Sequence, residues 1–192
     1  MKITLFGGSF NPPHIGHRLV MSQAFELASI DEIWLLPSFK STFAKNTSLV
    51  NPHHRLNMAK TLLNGHIKLE TCEIDLKMSG ETIEPVTYLI KKYPAHQFSF
   101  LMGSDQLKGF TKWQDWQKLL QLIPFYIYPR VGFPMTDLKT NMRPLTHPLQ
   151  IITNISSTMV RERLKTGLTV NHLVPGRVSE YIKANKLFLN RR

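Results

Sequence analysis

The sequence has a single cysteine, Cys72, so no disulfide can form within the chain, which suits a reducing compartment. No apolar run approaches the length a bilayer requires, and Gly7, Gly8 and Pro12 interrupt the N-terminal stretch before a signal-peptide core can build up. The expectation is a soluble, cytoplasmic protein without a membrane partner. Acidic residues are scarce: 13 Asp and Glu stand against 24 Lys and Arg, a net charge of +11. Such a surplus attracts polyanions of any kind, from nucleic acid to a polyphosphate nucleotide, without choosing among them. The basic residues are scattered, and their small clusters, such as Lys91–Lys92 and Arg191–Arg192, read as solvated surface. Internal repeats, low-complexity tracts and linkers are also missing. With 192 residues, 42% of them hydrophobic, one core of ordinary size is expected: a single domain over 1–192, with a C-terminal helical part from about 155.

What the sequence does have is alternation. Apolar runs at 3–6, 32–37, 98–103 and 125–129 read as buried strands, 67–74 alternates like a strand, and 149–153 reads as a last one. Helical spacing occupies 15–28, the segment after Asn51-Pro52, 85–93 and 113–122, with further helices from Ser157 and from about Pro175. Strand and helix thus take turns, and the fold class expected is α/β: a Rossmann-like, doubly wound, mostly parallel sheet with helices on both faces and a small C-terminal helical extension. In such sheets ligands bind beyond the C-terminal ends of the strands. The stretch 131–148 is a long connection.

The first of those strand ends carries "FGGSFNPPHIGH", residues 6–17. Gly7 and Gly8 remove side chains where the strand stops, so backbone N–H groups can face an anion, and the next helix adds its positive end. His14 and His17 lie three apart on the first helical turn and project from one face toward that cradle. Imidazolium, or neutral imidazole donating one N–H, can stabilise charge growing on phosphate oxygens. Near the other end, "ISSTMVRERLKTG" (155–167) repeats the device: Ser156 or Ser157 caps a helix, and Thr158 and Arg161 share a face, the guanidinium offering a fork of donors suited to phosphate. Between them, Gly103 and Asp105 follow a buried strand, placing a carboxylate where it can accept hydrogen bonds from ribose hydroxyls.

His14-Ile15-Gly16-His17 has the form of the nucleotidyltransferase signature H-x-G-H, and Ile155-Ser156-Ser157-Thr158-Met159-Val160-Arg161 resembles the superfamily's second signature, I-S-S-T-x-[IV]-R. Gly103, Asp105, Leu107, Lys112 and Trp113 match the G-x-D-x-L and K-W of the nicotinate mononucleotide adenylyltransferases, and the resemblance runs from Leu5 to about Tyr181. It implies transfer of AMP from ATP to nicotinate mononucleotide, giving nicotinate adenine dinucleotide and pyrophosphate in NAD biosynthesis. On this resemblance His14, His17, Lys45 and Arg161 act on the phosphates. ATP is held by Gly7, Gly8, Ser9, Phe10, Gly16, Gly103, Asp105, Ile155, Ser156, Ser157 and Thr158. Thr82 and Trp113 take the mononucleotide, and Mg2+ arrives with ATP, without metal ligands from the protein.

Two departures bear on the acceptor. The usual S-Y-T is Gly80-Glu81-Thr82 here, so a carboxylate replaces the tyrosine and would disfavour an acidic pyridine placed beside it. The loop 37–46 lacks the family's proline–histidine pair, leaving Lys45, with Lys40 behind it, as the cation for the polyphosphate. Arg55, in "RLNM", is read as structural. The alternatives are a relative that uses nicotinamide mononucleotide or phosphopantetheine and, from another class, a nucleic-acid-binding module suggested by the charge and by Trp113, Trp116, Tyr126 and Tyr128. The last leaves two separate phosphate cradles unexplained, so no nucleic-acid partner is expected; the sequence is compatible with a homo-oligomer.

Overall fold

A computed structural model describes residues 1–40 and 49–189. Its centre is a wholly parallel sheet of six strands: β1 (Lys2–Gly8), β2 (Glu32–Pro37), β3 (Ile67–Leu69), β4 (Gln97–Gly103), β5 (Phe125–Tyr128) and β6 (Met142–Pro144), in the order β3-β2-β1-β4-β5-β6. Helices α1 (Ile15–Leu27), α2 (Pro52–Lys60), α3 (Cys72–Asp75), α4 (Ile83–Lys92), α5 (Leu107–Phe110) and α6 (Trp116–Leu122) connect the strands, and α7 (Ser157–Lys165) and α8 (Gly176–Ala184) follow them. The doubly wound Rossmann-like arrangement expected from the alternation is the observed one. Its strand order reverses between β1 and β4, which opens a crevice at their C-terminal ends.

The alternation of side chains along β1 builds two cores. Ile3 and Leu5 pack on one face with Val86, Leu89, Phe100 and Phe125. Phe6 turns to the other face, beside Met21, Ala24, Leu35 and Leu101. A third cluster, Val160, Val174, Val178 and Ile182, seats the C-terminal helices on Met58 of α2. Register sets the rim, since Gly8 pairs with Pro37 and Gly103 with Tyr128.

Three elements differ from the sequence expectation. The strand expected over 67–74 stops at Leu69, because side chains capture the backbone: Glu70 Oε1 accepts the Cys72 N–H at 2.9 Å, Thr71 Oγ1 donates to Asp75 Oδ2 at 2.6 Å, and the chain turns into α3. The helix expected from Trp113 begins at Trp116, after Asp115 takes a left-handed φ of 52°. The strand expected over 149–153 is not formed. Met142–Pro144, inside the long connection, holds the edge of the sheet instead, with Met142 and Leu145 buried and with Pro144 placed where an edge tolerates a missing N–H. Residues 149–153 are held by side chains: the Gln23 amide exchanges hydrogen bonds of 2.8 and 3.1 Å with the Ile151 backbone, and Tyr128 Oη donates to the same carbonyl at 2.7 Å. Leu149 and Ile151 are therefore left exposed.

Candidate active site

After Gly8 the chain reverses through Ser9 to Pro13, with Phe10 at a φ of 46° and Asn11–Pro12 cis. Phe10 is buried and carries His17 on its ring, centroids 5.1 Å apart. Neighbours from distant parts of the chain hold the turn in place: Arg55 donates to the Ser9 carbonyl at 3.0 Å, and Asn11 Oδ1 accepts the Val50 N–H at 3.2 Å. Two of the glycines serve by the space they leave. A Cβ on Gly16 would stand 2.9 Å from His14 Nδ1, and a Cβ on Gly103 would overlap Asp105 Oδ1, so each makes room for the polar side chain two residues away.

His14 is the N-cap of α1, and its ring lies on that of His17 with centroids 3.7 Å apart. The His14 N–H donates to His17 Nδ1 at 3.1 Å, so that nitrogen is unprotonated and Nε2 bears the hydrogen. Burial, reinforced by Arg130, pushes His14 down to about 3. Burial, then the neighbouring His14, then Arg130 hold His17 well below the ordinary imidazole range. Both rings are therefore neutral at physiological pH, and His17 meets the cavity as a neutral Nε2–H donor. A histidine that resists protonation only when folded makes acid destabilising: the unfolded chain takes up the proton below 6.5, the folded one not until about 3. Stability contributed by His14 is present above 6.5 and lost as pH falls toward 3. His14→Gln should accordingly flatten the decline of Tm on acidification through that window, measured by thermal unfolding across pH.

The second signature closes on the first. Ser157 Oγ donates to the Pro12 carbonyl at 2.8 Å, and Arg161 Nη1 donates to the Asn11 carbonyl at 2.9 Å. Arg161 Nη2 also donates to Thr158 Oγ1 at 3.1 Å, and its Nε is buried without a partner among the described residues. Ser156 caps α7 by accepting the Met159 N–H at 3.2 Å. Segments about 150 residues apart in sequence thus share one rim.

The crevice holds a cavity of about 440 Å³. Gly7, Gly8, Ser9, His14, Gly16, His17, Gly103, Asp105, Ser156 and Ser157 line it, as do Thr82 and Trp113 of the expected acceptor side. Trp113 packs against Phe100 and Phe110, whereas Trp116 contacts Phe110 from α6. Four of the expected site residues, Phe10, Ile155, Thr158 and Arg161, are not among those that line it, and Thr158 is exposed; Phe10 supports His17 from beneath, and the Ile155 carbonyl faces the Arg130 guanidinium at 3.4 Å. Lys45 lies outside the described residues; among those described, Lys40 is the lysine found on the cavity wall. Two functional candidates were missed in the sequence. Arg130 lines the cavity, 3.8 Å from Asp105, with its N–H on Ser104 Oγ at 2.9 Å. Its signal was present, since it follows directly on the end of a buried strand. Glu73 also lines the cavity, and nothing in its local sequence pointed there. The arrangement suits a polyanion, with a cation and neutral donors facing a carboxylate, beside an aromatic surface for a flat ring.

Comparison with known proteins agrees with this geometry. The family model described as cytidylyltransferase-like matches residues 5–163. The nicotinate-nucleotide adenylyltransferase of Bacillus subtilis is 33% identical over 97% of this chain and 98% of its own length. A probable nicotinate-nucleotide adenylyltransferase of Flavobacterium johnsoniae is 31% identical over 98% of this chain and 99% of its own. Among solved structures, nicotinic acid mononucleotide adenylyltransferase of Plasmodium falciparum complexed with NaAD superposes with a TM-score of 0.82 at 25% identity, covering 97% of both chains.

Proposed function

This chain belongs to the cytidylyltransferase-like family, and we infer from its full-length relatives and from its site that it is a nicotinate-nucleotide adenylyltransferase, joining ATP and nicotinate mononucleotide into nicotinate adenine dinucleotide with release of pyrophosphate. The observation that carries the reading is the convergence of the His14–His17 pair and the Ser156–Ser157 helix start on one cavity that also holds Trp113. The 5′-phosphate of the mononucleotide attacks the α-phosphorus of ATP in line. One P–O bond forms, the bond to the β-phosphate oxygen breaks, and pyrophosphate leaves with the electron pair. The attacking phosphate is already ionised near neutral pH, so no general base and no covalent enzyme intermediate are needed, and the protein's share is alignment and charge stabilisation.

In the proposed assignment, His17 donates its Nε2–H to the α-phosphate as charge accumulates there, and Arg130 is the cation facing the polyphosphate. Arg161, fastened to the Asn11 carbonyl, fixes the edge of the cradle next to the leaving group. Lys45 is proposed as a second cation for pyrophosphate. Asp105 accepts from ribose hydroxyls, and Trp113 stacks on the pyridine. Mg2+ is proposed to travel with ATP on the substrate's own oxygens, offsetting charge that the few protein cations leave uncovered. A cytoplasmic setting remains part of the proposal; among the described residues no helix is long and apolar enough to cross a membrane.

The test is direct. Purified protein with ATP, Mg2+ and nicotinate mononucleotide should release pyrophosphate and form the dinucleotide in equal amounts. Absence of product with either pyridine mononucleotide, but turnover with phosphopantetheine, would overturn the assignment.

A further inference from the structure

Glu73 lies in α3, is 5% exposed, and lines the cavity with Ser38, Lys40, Gly80 and Thr82. Its Oε2 is buried and has no hydrogen-bond partner among the described residues. A buried polar atom in that condition on the wall of a substrate cavity calls for an explanation, and a ligand atom that completes it is the simplest one. By contrast Glu81, the carboxylate expected to confront the acceptor, is not among the residues lining the cavity.

The chemistry of Glu73 follows from its surroundings. Arg55 from α2 and a backbone hydrogen bond at Phe39 favour the charged form of Glu73, Glu84 from α4 opposes it, and Lys40 stands on the wall nearby. Glu70 precedes the helix and Cys72 begins it, and burial pushes the Cys72 thiol up to about 12, so it stays neutral. Burial outweighs the favourable partners and raises Glu73 to about 7. Both substrates are anions, and their arrival favours the neutral carboxyl further. Because Oε2 is the oxygen without a partner among the described residues, the proton of the neutral carboxyl is assigned to it.

We propose that Glu73 is an acceptor-binding residue, its Oε2–H donating to an anionic oxygen of the mononucleotide, either the pyridine carboxylate, where it would select the acid over the amide, or the 5′-phosphate, where it would bind both alike. This rests on the adenylyltransferase reading above. The experiment measures KM for nicotinate and nicotinamide mononucleotides from about pH 6 to 9 in the unaltered protein, in Glu73→Gln and in Glu73→Ala. With Glu73 present, KM should climb above neutral pH, approaching about tenfold per unit as the donor is lost. Glu73→Gln, whose amide donates at every pH, should give a flat KM, and Glu73→Ala a raised one throughout, the effects falling on KM rather than kcat. A climb confined to nicotinate mononucleotide identifies the carboxylate as the partner; a climb with both identifies the phosphate. Parallel profiles in the unaltered protein and Glu73→Gln would overturn the proposal. Dinucleotide formation by the unaltered protein is the control: its absence removes the adenylyltransferase reading, whereas parallel profiles in an active enzyme remove Glu73 alone.

Discussion

His17→Ala should lower kcat at least about a hundredfold, the loss of one preorganised donor to a transition-state charge being on the order of 3 kcal/mol. The ring is fixed before substrate arrives: Phe10 lies 5.1 Å from it, Phe6 5.8 Å, and the His14 N–H occupies Nδ1. Its remaining hydrogen needs no reorganisation to meet a phosphate. Removing the ring also opens a small hole beside those aromatics, so His17→Leu is the companion variant, close in bulk and without the donor. Both should lose turnover alike while melting as cooperative, folded proteins. Because burial keeps the imidazole uncharged, kcat should hold level from about pH 7 to 9 rather than fall as an imidazolium is lost. Near-normal turnover in both variants would remove His17 from the mechanism.

The parts of the fold that were legible in the sequence are those whose signal is local and strong. β1, β2, β4 and β5 are short apolar runs buried on both faces, and Asn51-Pro52 announces α2 by a cap that accepts the His53 N–H at 2.9 Å. Where the expectation failed, a side chain decided the outcome. Glu70 and Thr71 turn the chain out of β3 through bonds to residues two and four positions on, polar signals masked by the apolar alternation of 67–74. Gln23 and Tyr128, which hold 149–153 where a strand was expected, are instead neighbours that no short window of sequence contains. The site divides along the same line. The two signatures are contiguous strings, each a helix start with its cap, and can be read without knowing the sheet. Arg130 and Glu73 gain a place in the cavity only because β5 lies beside β4 and α3 leans on β2, which is information about strand order and packing rather than pattern.

The same dependence on packing makes Arg55 the residue whose loss should cost most in stability. It is fully buried, and its guanidinium donates to four backbone carbonyls: Val50 at 3.2 Å, Ser9 at 3.0 Å, Ser38 at 2.6 Å and Phe39 at 3.3 Å. These belong to three loops, the turn that carries the first signature, the segment after β2, and the entry to α2. Among the described residues no carboxylate pairs with it within 4.0 Å, so carbonyl dipoles offset its charge and Glu73 acts on it from farther off. Burial lowers its pKa, yet a guanidinium starts so high that it stays charged. Arg55→Leu would fill much of the volume but strip four part-buried carbonyls of this donor, a loss on the order of 3–5 kcal/mol and a large share of the stability of a chain this size. Arg55→Lys keeps the charge, but a single ammonium cannot reach carbonyls spread over three loops, so its loss should fall between. Urea unfolding of the three proteins measures the order. The activity of whatever folds adds a second reading: if Arg55 holds the Ser9 turn in register with His14 and His17, Arg55→Lys should turn over more slowly even under conditions where it is fully folded, whereas a purely stabilising role predicts normal kcat once folding is complete.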